Sequence, residues 1–496
     1  MAGNRSAQAV EADYTGPPCT DDPAWTIIRR SAENFVHIET SSAMWPCEVP
    51  RSSQLVATNK RVWAHYFPPF PLSIDNKPTG SDTYKTELLS RSGQQGRFYS
   101  VGGLLRDRPL PVPSWPSPYW REINYAIEIF RARAAGLDGF CADILTFVGP
   151  LWDRVKTLFA VTDSMVPDFH LILVPDMNAM RTVSMEQLTA ALQELAAHKS
   201  AYRLADGRLV IAPYNAELKP PEFWRELVLE LQKRGSAIAL WPIFLNEPLY
   251  ERRYPEFGMP YANWVHPDII PSTESLQSHE RKNSGSSLVM DGISPQHVAP
   301  KSSTFREAEN TELFRTGWQH AIERNLPNVQ LVSWNDYTEG TQVSPSVRTQ
   351  FVFYDLCLYH SLWFKTGKAP VISRDAIYYC HRTQIIRPES RPTSGEEPMH
   401  LIGNTPLHNE IEMLAFLTTR ATLHIMIAGR YYEQAGTPGL TVFHAPAAPG
   451  RPIFRIIRGD QTIVEKASDW VIATEFSSEN PEYVGGSSTR PFVPGL

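Results

Sequence analysis

YWREINYAIEIFRARAAGLDGFCADI, residues 119–144, is the stretch from which the fold of this chain can be read. Ile123, Ala126, Ile127, Phe130 and Ala134 recur at helical spacing, so the spacing predicts a helix from Tyr119 to Ala135 with one apolar stripe turned inward. Gly136 stops that helix, and Gly139-Phe140-Cys141-Ala142-Asp143-Ile144 reads as a strand. A strand this apolar needs cover on both faces, which is the condition of a parallel sheet wrapped by helices.

The same alternation recurs on either side. Val62-Trp63-Ala64-His65-Tyr66-Phe67 reads as a first strand, closed by Pro68-Pro69 and followed by a long Pro/Gly-rich loop to about Pro118. Helices are expected from Leu151 to Asp163, Met185 to Tyr202, Pro221 to Lys233, Glu312 to Glu323 and Phe351 to Lys365. Strands are expected from Phe169 to Val174, Arg208 to Ala212, Ala237 to Trp241, Ser287 to Met290 and Val329 to Ser333. Residues 250–286 carry no clear period. About eight such units over roughly 300 residues fit the α/β class as a closed (β/α)8 barrel better than an open sheet.

From about Val371 the period shortens to alternation, with runs from Ile377 to Cys380, Ile411 to Thr418, Thr422 to Ile427, Leu440 to Phe443, Ile453 to Ile457 and Thr462 to Glu465. Short alternating strands of this kind predict a β-sandwich, and Gly459-Asp460 is a two-residue hairpin signal. Residues 387–398 read as a long loop inside it. The expected organisation is an N-terminal extension over 1–58, with one short helix near Ala24 to Asn34, a barrel over 59–368 and a C-terminal β-sandwich over 369–496.

Composition narrows the function. The 496 residues carry 47 Lys and Arg against 53 Asp and Glu, a formal charge of -6, with no basic run long enough to follow a phosphate backbone, so nucleic acid is excluded as a partner. No apolar stretch approaches the roughly 18 residues of a membrane helix, and Met1 to Val10 lacks the basic-then-apolar plan of a signal peptide. The five cysteines, Cys19, Cys47, Cys141, Cys357 and Cys380, are widely spaced without a C-x-x-C, which indicates neither a zinc site nor a dense disulfide framework. In an exported protein, Cys19 and Cys47 would be placed to bridge each other. No His/Asp/Glu cluster has metal-ligand spacing, so neither a metal nor a cofactor is called for.

The chemistry is concentrated where strands end. Trp334-Asn335-Asp336-Tyr337-Thr338-Glu339-Gly340 follows the apolar run Val329 to Ser333, so two carboxylates emerge three residues apart where a strand gives way to a loop. Hydrolysis of a glycosidic bond needs such a pair, one group protonating the leaving oxygen and the other activating water or attacking the sugar. A lone Asp-x-x-Glu is also what a solvated strand end looks like. In a barrel, however, the reaction site lies beyond the C-terminal ends of the strands. Those ends supply His65, Tyr66, Asp143, Asp176, Asn178, Tyr214, Asn215, Trp241, Asp291, Ser294, Gln296, Trp334, Asn335 and Tyr337. Singly, Asp143 and Asp176 have a second reading as helix caps, His65 as a hydrogen-bonded core histidine and Trp241 as packing. Together, acids, amides and indoles at one rim are the lining of a carbohydrate cleft, with a polysaccharide or oligosaccharide as the partner.

Val329-Gln-Leu-Val-Ser-Trp-Asn-Asp-Tyr-Thr-Glu-Gly-Thr resembles the segment of glycoside hydrolase family 71, the endo-α-1,3-glucanases or mutanases, in which a strand ends in Trp-Asn-Asp-Tyr-Gly-Glu. Ala135-Gly136-Leu137-Asp138-Gly139-Phe140, Asp176-Met177 and Gly292-Ile293-Ser294-Pro295 resemble further motifs of that family in the same order, and the similarity runs over about residues 61–366. The resemblance implies a (β/α)8 barrel with an appended β-sandwich, a catalytic acid and base at Asp336 and Glu339, inversion at the sugar carbon and an extracellular setting; a monomer without a cofactor is expected beside it. Thr338 and Gly340 depart from the pattern, and Glu339-Gly340-Thr341-Gln342 is closer to the family 99 endo-α-mannosidases. Gln296 also stands where the glucanases tend to carry an aromatic. These departures bear on the glycan rather than on the reaction.

Overall fold

The computed structural model describes residues 16–19, 21–49, 55, 58–245, 261–264, 288–387, 392–475 and 479–495. Helix α1 (Ala24–Ser41) comes first, followed by β1 (Arg61–Tyr66), α2 (Trp120–Ala134), β2 (Gly139–Ile144), α3 (Gly149–Met165), β3 (His170–Pro175), α4 (Met185–Ala196) and β4 (Leu209–Ile211). Next come α5 (Pro221–Lys233), β5 (Ile238–Leu240), β6 (Ile243–Phe244), β7 (Tyr261–Asn263) and β8 (Leu288–Ile293). The short strands β9 (His297–Ala299) and β10 (Thr304–Arg306) precede α6 (Glu312–Glu323), β11 (Asn328–Leu331) and α7 (Val352–Thr366).

One parallel sheet runs in the order β5-β4-β3-β2-β1-β11-β8-β7-β6. Only Trp241 and Pro242 separate β5, which pairs with β4, from β6, which pairs with β7. The two are one broken stave, so eight staves close into a (β/α)8 barrel. Side chains alternate along each stave. Trp63, Cys141, Ile172, Val174, Val210, Ala212, Ala239, Ile243, Ala262 and Met290 fill the interior, while Phe140, Leu171, Leu173 and Leu331 face the helices. Gly139 carries no side chain because a Cβ there would stand 2.0 Å from the His170 carbonyl oxygen and 2.6 Å from the Trp63 ring. Its neighbour Asp138 ties the base of the barrel, accepting from Val62 N at 2.7 Å and pairing with Lys365 Nζ at 2.7 Å.

The remainder of the chain is antiparallel: β12 (Ala376–Arg382), β13 (His400–Leu401), β14 (Glu410–Leu417), β15 (Ala421–Ile427), β16 (Arg430–Gly436), β17 (Gly439–Pro446), β18 (Ile453–Arg458), β19 (Gln461–Ala467) and β20 (Tyr483–Ser487). Sheets β17-β14-β12-β20 and β16-β15-β18-β19 form a β-sandwich. Tyr379, Met413, Ile425, Phe454 and Ile456 fill the space between its sheets, and Gly459-Asp460 turns the β18–β19 hairpin. The outer face of the first sheet lies on α7, with the Tyr359 and Phe416 ring centres 5.2 Å apart. The β13-β10-β9 sheet joins the loop after β8 to the sandwich, an association of distant segments that no local period announces.

Several expectations need correction. Helix α1 runs the full 18 residues to Ser41, past Asn34, and buries Trp25, Ile28 and Ala32. Helix α4 stops at Ala196, because the chain turns so that Leu171 N bonds the Ser200 carbonyl. Cys19 is exposed and Cys47 buried, and both are free thiols, so the bridge between them is not formed. No described helix is long and apolar enough to cross a membrane.

Candidate active site

Beyond β11 the chain makes a tight turn built from its own side chains. Ser333 Oγ accepts from Asp336 N at 2.6 Å, and Thr341 N donates to the Asp336 carbonyl at 3.1 Å. Asp336 Oδ1 accepts from Thr338 N at 2.9 Å, from Thr338 Oγ1 at 2.6 Å and from Glu339 N at 3.2 Å. An Asp followed two residues on by Thr closes such a turn locally, which gives Thr338 a structural role. Gly340 follows in the left-handed region at φ +62°. Trp334 N donates to the His65 carbonyl at 2.8 Å, which sets this turn against the end of β1.

The two carboxylates differ in their surroundings. Burial raises Asp336 above the ordinary carboxylate range, but the hydrogen bonds from Thr338 and the nearby His65 work against the rise. No hydrogen bond from a described residue reaches the Glu339 carboxylate, and burial together with the charge of Asp336 pushes it up to about 7. Burial thus raises both carboxyls, while hydrogen bonds from described residues favour the charged form of Asp336 alone.

Four other strand-end residues join them. His65 Nε2 lies 3.7 Å from Asp143 Oδ2, while His65 Nδ1 and Asp143 Oδ1 are buried without a hydrogen-bond partner. Asp176 is raised to about 6, by burial and then by Asp143. Tyr214 stands among all of them, its hydroxyl pushed up by burial and by the charges of Glu339, Asp176, Asp143 and Asp336. Asp176 Oδ1 also accepts from Asn178 N at 2.6 Å and Ala179 N at 3.1 Å, which closes a local turn, whereas the helix that follows is capped by Ser184 and not by Asp176. On the rim, exposed Asn178 accepts from Asn215 Nδ2 at 2.8 Å.

The other strand-end residues point elsewhere. Tyr66 and Trp334 face the helices: Tyr66 donates to Glu128 on α2 at 2.7 Å, and fully buried Trp334 packs 5.4 Å from Phe140. Tyr337 lies in an apolar cluster with Phe70, Ile74 and Tyr84. Neither Trp334 nor Tyr337 therefore offers a ring to a sugar, because both side chains are buried. Asn335 is a clamp on the backbone after β1. Trp241 is buried inside the barrel against Tyr202. Asp291 has the opposite parity to inward-facing Met290 and lies 3.7 Å from Arg324. Ser294 Oγ donates to the Gln296 carbonyl at 3.0 Å, and Gln296 Oε1 accepts from Tyr483 N at 3.0 Å, so this pair braces the sandwich.

A second aromatic at the mouth, beside Tyr214, is Trp264. Its ring meets His65 edge-on at 4.8 Å and Tyr214 at 4.6 Å, and it is only partly buried. It follows the three-residue stave β7, too short for any periodicity to reveal. Among the described residues no group of three His, Cys, Asp or Glu side chains could hold a metal ion. The arrangement is thus a mouth with four carboxylates, a histidine, a phenol and an indole, able to move protons and to grip hydroxyl groups.

Residues 117–489 match the family model described as Glycosyl hydrolase family 71. The chain is 22% identical over 243 residues to the ascus wall endo-1,3-alpha-glucanase of Schizosaccharomyces pombe, covering 46% of this chain and 55% of that protein. It thus spans about half the length of the curated relative it matches. Among solved structures, the GH99 endo-alpha-mannosidase from Bacteroides thetaiotaomicron is 15% identical with a TM-score of 0.47, covering 62% of this chain and 98% of that one. A Bacteroides uniformis beta-glucuronidase is 10% identical with a TM-score of 0.39, covering 71% and 44%.

Proposed function

The chain belongs to glycosyl hydrolase family 71, and on that premise we propose that it hydrolyses α-1,3-linked glucan from within the polymer, with Glu339 as general acid and Asp336 as general base. One observation carries the assignment of roles: three hydrogen bonds favour the charged form of Asp336, whereas Glu339 receives none from a described residue and is pushed up to about 7. A base must be ionised and an acid protonated at the working pH.

In this mechanism Glu339 gives its proton to the glycosidic oxygen as the bond to the anomeric carbon breaks. Asp336 takes a proton from the water whose oxygen forms the new bond on the opposite face. The carboxylates exchange protonation states and the products leave with inverted configuration. Asp143, Asp176 and His65 hold sugar hydroxyls, since His65 Nδ1 and Asp143 Oδ1 are buried polar atoms left without partners, and such atoms cost stability unless something satisfies them. Trp264 offers the flat surface for a ring.

A panel of α- and β-glucans tests the reading. Release of reducing ends from α-1,3-glucan, lost in Asp336→Asn, supports it, as does a first-formed β-anomer in a nuclear magnetic resonance time course. An Asp336→Asn protein as fast as the wild type would remove the site assignment, and binding without hydrolysis would leave a carbohydrate-binding protein. A second reading, an endo-α-mannosidase-like specificity, rests on the Glu339-Gly340-Thr341-Gln342 segment. Cleavage of α-mannan in place of glucan would favour it.

A further inference from the structure

The residue after Glu339 is closed in from the sandwich side. Glu482, at the entrance to β20, is 1% exposed, and a Cβ on Gly340 would stand 2.7 Å from its Oε1. Val298 flanks the same point at 3.2 Å, and its N donates to the Glu339 carbonyl at 2.7 Å. The Cβ side of Gly340 is therefore closed off jointly by Val298, after β8, and by Glu482 of the appended domain.

Glu482 is itself braced. Arg348 Nε lies 3.4 Å from Glu482 Oε2, and Arg348 Nη2 donates to the Glu482 carbonyl at 3.3 Å. Asp107 holds Arg348 in turn, accepting from its backbone N at 3.0 Å. Glu482 N donates to Asn480 Oδ1 at 3.0 Å. Neither Glu482 carboxyl oxygen accepts a hydrogen bond from a described residue. Burying an acid with so little compensation is costly, and an apolar side chain would join two domains at less cost. Glu482 Oε1 instead stands on the side of Gly340 that a Cβ would occupy.

We propose that Glu482 is a positioning residue for Glu339: the β-sandwich supplies the wedge that fixes the backbone at Gly340 and with it the direction of the acid's side chain. The barrel's reacting turn is then complete only with the appended domain. This inference rests on the role given to Glu339 above. Burial and the charge of Asp107 hold the Glu482 carboxyl up at about 8, so it is protonated at mildly acidic pH and glutamine matches its shape and charge there.

Glu482→Ala and Glu482→Gln, made in the full chain, are compared on α-1,3-glucan and on the α-fluoride of an α-1,3-linked glucose oligomer, whose fluoride leaves without protonation. Glu482→Ala is expected to lower kcat on the glucan roughly 10- to 100-fold, the scale on which a small misplacement acts, with KM and fluoride hydrolysis changed less than about threefold. Glu482→Gln is expected to stay within about threefold of wild type on both. Gly340→Ala, which pushes a methyl group into the wedge, should repeat the selective loss if Glu482→Ala does not fold. Equal loss on both substrates, no loss in Glu482→Ala, or a Gln variant as poor as the Ala variant would overturn the inference. A wild-type protein inactive on both substrates counts instead against the proposed reaction.

Discussion

Asn335 and Phe67 are joined by a two-way pair of hydrogen bonds: Asn335 Oδ1 accepts from Phe67 N at 2.7 Å, and Asn335 Nδ2 donates to the Phe67 carbonyl at 3.0 Å. A third bond runs from Nδ2 to the Phe70 carbonyl at 2.9 Å. The amide side chain thus mimics a strand edge and ties the loop after β1 to the residue before Asp336. Asn335→Ala should cost about 3 kcal/mol, near 1 kcal/mol for each bond, measured by denaturant unfolding. Because the clamp borders Asp336, kcat should fall further than the loss of folded protein accounts for.

Replacing either carboxylate of the proposed acid–base pair should be severe. Asp336→Asn and Glu339→Gln are each expected to lower kcat about 10²- to 10⁴-fold on α-1,3-glucan, the usual worth of a positioned acid or base. Only Glu339→Gln should keep activity on a glycosyl fluoride, which needs no acid but still needs a base. Equal behaviour of the two variants on the fluoride would reverse or remove the role assignment.

The pH profile follows from the same pair. As the proposed acid, Glu339 works protonated, so activity should fall as pH rises through about 7. As the proposed base, Asp336 works ionised, and its raised pKa puts the acid limb above the ordinary aspartate range. His65 opposes the rise in Glu339, so His65→Ala should move the alkaline limb to higher pH. Asp336→Asn removes a neighbouring charge that raises Glu339, so titration of Glu339 in that variant should move lower. Rates across pH 4 to 9, with carboxyl resonances followed in the Asn variant, check both signs.

How much of this was legible in the chain depends on the range of the interaction that decides each feature. The unit around Gly139, the helix from Glu312 to Glu323 and the Gly459-Asp460 hairpin follow local periodicity and turn chemistry, and they read correctly. The stave Tyr261–Asn263 is three residues long and paired on both sides, too short for a period to mark it, so Trp264 behind it was missed. Strand parity explains the residues wrongly assigned to the mouth. Tyr66 and Trp334 adjoin His65 and Asn335 in sequence, yet each faces the helices. Glu482, more than 140 positions from Glu339, meets Gly340 only because two domains dock.

Stability should depend on pH through Glu128. It is buried on the helix side of β1, accepts from Tyr66 Oη at 2.7 Å and is raised by burial to about 8. In the unfolded chain a glutamate titrates near ~4.3. Between these values the folded protein holds a proton that the unfolded chain has released, so the unfolded state binds fewer protons and stability falls as pH rises. The contribution is full below about 4.3 and is lost as pH rises through the folded value near 8. Thermal unfolding midpoints should therefore decline from pH 5 to pH 8. Glu128→Gln keeps the shape of the protonated acid without titrating, so it should flatten that decline, most visibly at the alkaline end. A variant whose midpoints decline as steeply as those of the wild type would show that Glu128 does not hold the proton.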